Sequence, residues 1–182
     1  MAISMYQASV PVFIRSLKSL SAILRKAAAH AGKQGFDPAV LATSRLYPDM
    51  FPLIRQVQIA SDTAKGAGAR LAGMDPPKFD DTETTIPELI KRINDTIAFL
   101  RTLKAAQIDG SEDREVVLKF PGKKLEFRGL DYLLGFALPN FFFHVTTAYA
   151  ILRHNGVEIG KQDFLGEPPV RAGKSPAKRK AA

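Results

Sequence analysis

Residues 138–156 read LPNFFFHVTTAYAILRHNG. They close the most apolar part of the chain, whose window 133–145, LLGFALPNFFFHV, is too short to span a membrane. The pattern predicts a helical segment from about Gly129 to Asn155. Pro139 should kink it or divide it into two pieces, and Gly156 is placed as its left-handed stop. Asn140 and His144 are four residues apart, so they share one helix face, ~6 Å apart along the axis. Two polar groups inside so apolar a run need partners, which points to a polar cluster or a cavity between helices. His154 lies ten residues further on and off that face. It reads as a cation in the last turn, and Phe141, Phe142 and Phe143 read as core and interface.

Three more helices are expected upstream. From Met5 to Ala31, Val10, Phe13, Ile14, Leu17, Leu20, Leu24 and Ala27 recur at helical spacing, with Gly32 as the stop and His30 as a dipole-favoured cation in the last turn. A second segment runs from Asp49, read as its N-cap, to Ala72, with Pro52 inside the first turn. Its second half is crowded with small residues, which let a neighbouring helix approach closely. A third runs from Thr85 to Gln107 on a stripe of Ile86, Leu89, Ile90, Ile93, Ile97, Leu100 and Leu103. Between the third and fourth segments the period falls to two. Glu115–Phe120 and Lys124–Arg128 flank Pro121-Gly122 and predict a short hairpin. After Gly156 the peptide GVEIGKQDFLG is expected to lie back on the helices through Ile159, Phe164 and Leu165. The fold class that follows is mainly α: an antiparallel four-helix bundle with a β-hairpin inserted before the last helix.

Composition narrows the chemistry. The chain has 182 residues, 46 % apolar and 24 % charged, without cysteine. Disulfides, thiol nucleophiles and thiolate metal sites are therefore excluded. Only His30, His144 and His154 could supply imidazole. Half of the net charge of +8 lies in residues 167–182, which hold five basic residues against Glu167. That segment has no large apolar residue except Val170 and reads as a disordered basic tail, leaving residues 1–166 as the folded domain. The body is only mildly basic and shows no helix-turn-helix or basic-aromatic face, so nucleic-acid binding is not expected. No secretory signal is read at the N-terminus, and the expected location is cytoplasmic, or nuclear if the tail acts as a signal.

Short motifs add little. GAGARLAG, residues 66–73, does not have the spacing of a dinucleotide loop and lies within a helix. Gly173-Lys174-Ser175 lacks the earlier glycine of a P-loop. Asn94-Asp95-Thr96 is a sequon placed mid-helix, and no metalloprotease or serine-hydrolase motif occurs.

The segments LYPDMFPL, RQVQIASDTAKGAGARLAG and LPNFFFHVTTAYAILRHNG together make the chain resemble the DinB-like (YfiT-type) superfamily of four-helix bundles, in a branch that is a domain-of-unknown-function family. The resemblance covers about residues 5–166. It implies a metal site built from one histidine in the second helix and a pair of histidines four apart in the last, followed by an L-R-x-x-G ending. Leu152-Arg153-His154-Asn155-Gly156 fits that ending. His144 falls on the second histidine of the pair, Asn140 on the first, and Gln56 on the histidine of the second helix. The implied triad is thus Gln56, Asn140 and His144, a degenerate metal site, because amide oxygens are poor ligands for zinc or nickel.

Three functions follow. In the first, Gln56, Asn140 and His144 line a pocket for a small molecule between the second and last helices, with His144 as a general acid or base. In the second, the chain is a non-enzymatic dimeric interaction module whose polar trio satisfies itself. In the third, a metal-dependent transferase or hydrolase keeps a shifted site, with Asp49 or Asp62 supplying a carboxylate. No cofactor is expected, and a divalent metal belongs to the third reading alone. An open pocket at the trio separates the first and third from the second.

Overall fold

The computed structural model describes residues 3–167. The basic tail expected over residues 167–182 lies outside them except for Glu167. The described chain is mainly helical, with one two-stranded antiparallel sheet. Four long helical segments form it: α1 (Met5–Gln34), α3 (Leu53–Leu71), α4 (Ile86–Thr102) and α7 (Leu138–His154). Short helices α2 (Ala39–Thr43), α5 (Ala105–Ile108), α6 (Gly129–Tyr132) and α8 (Lys161–Leu165) join or flank them. The hairpin is β1 (Glu115–Phe120) with β2 (Lys123–Arg128). α1 packs on α4 and α7, and α3 packs on the same two, so the four helices enclose one core. Phe13 of α1 meets Phe141 of α7 edge-on at 5.0 Å in its middle, both fully buried. Burying side chains of this size contributes ~1.5–3 kcal/mol each.

The helix boundaries depart from the sequence reading where caps decide them. α1 runs past Gly32, which stays helical, and stops at Gly35. Gly35 takes φ +76°, and Phe36 N–H reaches back to Ala31 O at 3.1 Å, so a left-handed cap forms there. His30 therefore sits a turn further from the end than expected, against the Phe36 ring. Asp49 is not the N-cap of α3. The helix begins at Leu53, after Pro52, and the Leu53 N–H is taken by Ser44 O at 2.9 Å. A loop carbonyl satisfies a donor that a capping side chain would otherwise accept. At the start of α4, Thr85 and Glu88 form a capping box, and the Thr84 and Thr85 N–H groups hold the Glu88 carboxyl below its usual range. α4 ends at Thr102, not Gln107. Leu103 turns to extended backbone, stays buried, and Lys104 starts the separate turn α5.

The last helical segment is continuous across Pro139. A π turn at Leu133–Ala137 immediately precedes it, with Leu138 N–H bonded to Leu133 O. The wider turn makes room for the proline ring, which would clash with the carbonyl four residues earlier in a regular helix. The interruption expected at Pro139 takes the form of a widened turn just before it, which separates α6 from α7. The hairpin pairs Glu115 with Arg128 through Phe120 with Lys123, and Gly122 takes φ +71° after Pro121, as a type II turn requires. Val116 and Leu118 are its buried face. The rings of Phe127, Tyr132 and Phe136 cluster with centroids 5.7–6.1 Å apart and tie it to the last segment. After Gly156, Val157 and Ile159 are buried and Phe164 packs on Tyr149 at 5.8 Å, while Leu165 stays exposed, contrary to expectation. Lys26 and Asp163, 2.6 Å apart, hold α8 to α1.

Candidate functional site

Helices α3 and α7 make the broadest helix–helix contact of the fold. Polar residues cross from α3 to the last helical segment, α6 through α7, at three levels. Gln56 Oε1 lies 2.7 Å from His144 Nδ1. Seven residues along α3, Thr63 Oγ1 accepts from Asn140 Nδ2 at 2.8 Å. Seven further, Arg70 Nη1 donates to the Tyr132 hydroxyl at 3.3 Å. Positions rise on α3 while they fall on the last segment, so these two helices run antiparallel. The rungs form one seam through the interior.

The top rung is fixed in detail. Gln56 Nε2 donates to Phe51 O at 3.0 Å, which turns Oε1 towards His144. The imidazole must then donate from Nδ1, and Nε2 is left as an acceptor. Gln56 is 1 % and His144 7 % exposed. Burial, with the positive Arg55 nearby as a smaller cause, lowers the His144 pKa to about 4, so the ring is neutral at pH 7. Nε2 has no hydrogen-bond partner among the described residues, and it is not among the side-chain atoms sealed from solvent without one. The Phe143 ring stands edge-on to the imidazole at 5.2 Å and is 55 % exposed, and Phe51 is 54 % exposed. At the bottom rung, burial pushes the Tyr132 phenol up, so it stays protonated and neutral.

The three residues singled out in the sequence are thus divided. Gln56 and His144 meet, but Asn140 pairs with Thr63. Asp62, considered as a replacement carboxylate, is 2.7 Å from Arg92 and 3.0 Å from Lys65 and belongs to a different cluster. Asp49 lies in the exposed loop before α3. Thr63, Arg70 and Tyr132 were not singled out in the sequence. The seven-residue spacing of Gln56, Thr63 and Arg70 is the signal that marks them, since such a spacing returns to one face of a helix.

The residues of the seam do not fit a transition metal. The His144 nitrogen nearest Gln56 is used by that amide, the Asn140 amide is used by Thr63, and no thiolate or carboxylate joins them. Among the described residues, no three histidine, aspartate or glutamate side chains stand close enough to hold an ion.

An antiparallel α3–α7 pair with this seam, a widened turn before the last helix and a hairpin ahead of it define a mainly helical protein with one small sheet, and its likeness to known proteins is DinB-like. The family model described as Domain of unknown function (DUF1993) matches residues 5–165, and the chain belongs to that family. A crystal structure of a DinB family member protein from Shewanella denitrificans is 45 % identical, with 92 % of this chain and 95 % of that one covered and a TM-score of 0.83. No curated protein matches the chain. No helix of the described residues is long and apolar enough to cross a membrane.

Proposed function

We propose that this protein binds a small, uncharged molecule at the Gln56–His144 pair, between the second and fourth long helices of an antiparallel four-helix bundle. The observation that carries this reading is the free Nε2 of a neutral, nearly buried imidazole beside the exposed ring of Phe143. Nε2 accepts one hydrogen bond from a hydroxyl or N–H of the ligand, and Phe143 and Phe51 cover its apolar body. Binding is the primary role. A general acid must hold a proton at the working pH, and an imidazole that protonates near pH 4 does not, so acid–base catalysis by His144 is the weaker reading. The donor chemistry weighs against the metal-dependent reading. We place the protein in the cytoplasm.

The runner-up is a dimeric interaction module. It draws on Tyr47, Phe51 and Phe143, three aromatic side chains left 54–66 % exposed. Native mass spectrometry of the purified protein separates the two. The first reading expects a co-purified molecule, retained by the wild type and lost in His144→Phe, on a monomer. A ligand-free dimer that falls apart in Phe143→Ser favours the module. Long-range proton–nitrogen spectra of the imidazole provide a check that needs no ligand: Nδ1 should carry the proton, and the opposite tautomer would remove the acceptor on which binding rests.

A further inference from the structure

A cleft of about 680 Å³ opens at the opposite end of the seam, between the C-terminus of α3 and strand β1. Arg70, Arg114 and Lys119 line it, with Asp75 and Glu115. Both arginines are anchored through Nη1 to neutral acceptors. Arg70 bonds the Tyr132 hydroxyl, and Arg114 bonds Leu71 O at the end of α3. Neither guanidinium lies within ion-pair distance of a carboxylate among the described residues, and residues 168–182 contain no acidic side chain. Each guanidinium is therefore held in place without a direct ion pair, with Asp75 and Glu115 elsewhere in the same cleft.

Two glycines make room for them. A Cβ on Gly66 would overlap the Arg70 guanidinium, and one on Gly73 would stand 3.3 Å from Arg114 Nη1. Gly73 also needs its positive φ of 72° to end the helix, but Gly66 is mid-helix, where glycine costs ~1 kcal/mol relative to alanine. The stretch GAGARLAG, which has no meaning as a dinucleotide loop, thus supplies Arg70 and Gly73 to the cleft and, in Gly66, the space that the Arg70 guanidinium occupies.

From this arrangement we infer that the cleft is a second binding site, for the monoester of phosphate with a hydroxylated small molecule. Each guanidinium spends Nη1 on its anchor and has no hydrogen bond from Nη2 or Nε to the described residues, leaving donors that match phosphate oxygens, and Lys119 adds a point charge. Asp75 and Glu115 repel a bare polyanion but accept hydrogen bonds from hydroxyls on the body of the ligand. The volume suits a molecule of that size. The site is separate from the Gln56–His144 pair and does not depend on the function proposed there.

Calorimetric titration of the full chain with glucose phosphate, inorganic phosphate and citrate tests the proposal. Saturable binding is expected for glucose phosphate, with the other two about tenfold weaker. Arg70→Lys keeps the charge but loses the fork, and should weaken binding about tenfold. Gly66→Ala leaves every charge in place and favours the helix, yet should weaken binding several-fold by displacing the guanidinium. Lys119→Gln should cost several-fold, and His144→Phe nothing. Melting curves confirm that each variant is folded. No saturable binding of glucose phosphate, equal or tighter binding of citrate, or affinity unchanged in both Arg70→Lys and Gly66→Ala would each overturn the assignment. Loss of binding in a folded His144→Phe protein would also overturn it, by placing the ligand in the other site.

Discussion

Gln56 and His144, 88 residues apart in sequence, are joined by a 2.7 Å hydrogen bond across the buried contact of α3 with α7. Each is the other's buried partner, so the cost of changing one depends on whether the other remains. Gln56→Leu or His144→Leu alone should destabilise the protein by ~1–3 kcal/mol, because an orphaned polar group stays buried. The double variant should cost clearly less than the sum. Asn140→Leu and Thr63→Val should show the same coupling within their own rung, and less across rungs. Chemical denaturation of the single and double variants measures both cycles, and additivity within a rung would contradict the bonds described.

The neutral imidazole makes stability depend on pH. Its pKa falls from 6.5 to about 4 on folding, so between those values the unfolded chain binds more protons than the native one. Stability contributed by the neutral ring is full above about pH 6.5, declines as pH falls through that window, and has levelled off below pH 4. The total loss is of order 3 kcal/mol at 1.36 kcal/mol per unit. Denaturation midpoints of wild type and His144→Leu should therefore converge on acidification, with the variant lacking this part of the slope. Parallel curves from pH 7 to 4 would show that the ring titrates freely.

Gly129 and Gly135 should respond oppositely to alanine. A Cβ on Gly129 would run into the backbone carbonyl oxygen of Ser111, whereas nothing lies within 4 Å of one on Gly135. Gly129→Ala should cost ~3 kcal/mol or more, since backbone must shift. Gly135→Ala should be neutral or stabilise by up to ~1 kcal/mol. Thermal melts decide this, and a tolerated Gly129→Ala would mean that the segment from Ser111 to the hairpin sits further from α6.

Arg92 has a nearly buried guanidinium within 2.7–3.0 Å of Asp62, Asp81 and Glu83. Arg55 adds a second ion pair to Asp81, and the Arg92 Nη1 also bonds Asp80 O. The linker between α3 and α4 is thus fastened to both helices by one side chain. Arg92→Leu should destabilise by ~3 kcal/mol, the lower end for a broken buried pair because Asp62 and Asp81 remain partly exposed. It should also open the linker to proteolysis, read as cleavage within residues 75–84. An unchanged cleavage pattern would mean that the linker is held by its own backbone.

The four long helices, the hairpin and the polar character of the last helix are legible in local pattern, whereas the short helices α2, α5 and α8 are not. Helical spacing of Val10, Phe13, Leu17 and Leu20, the turn at Pro121-Gly122 and the placing of Asn140 and His144 among aromatics are all local patterns. Each is enforced by neighbours within a few residues. Local pattern also overreached where a nearby residue had the right chemistry but a more distant group took the role. Asp49 could cap a helix, but the Ser44 carbonyl holds the first α3 donor. Gly32 could end α1, but Gly35 does. The partners across helices depend instead on how the helices pack. Asn140 and His144 were read as one patch with Gln56, yet one α7 turn of ~6 Å is matched on α3 by two turns, about 10 Å, so Asn140 meets Thr63 instead. Likewise no spacing rule assigns Arg70 and Gly73 to a cleft with Arg114. The axial offset of packed helices and the placement of the hairpin set those encounters, and both are properties of the whole core rather than of any segment.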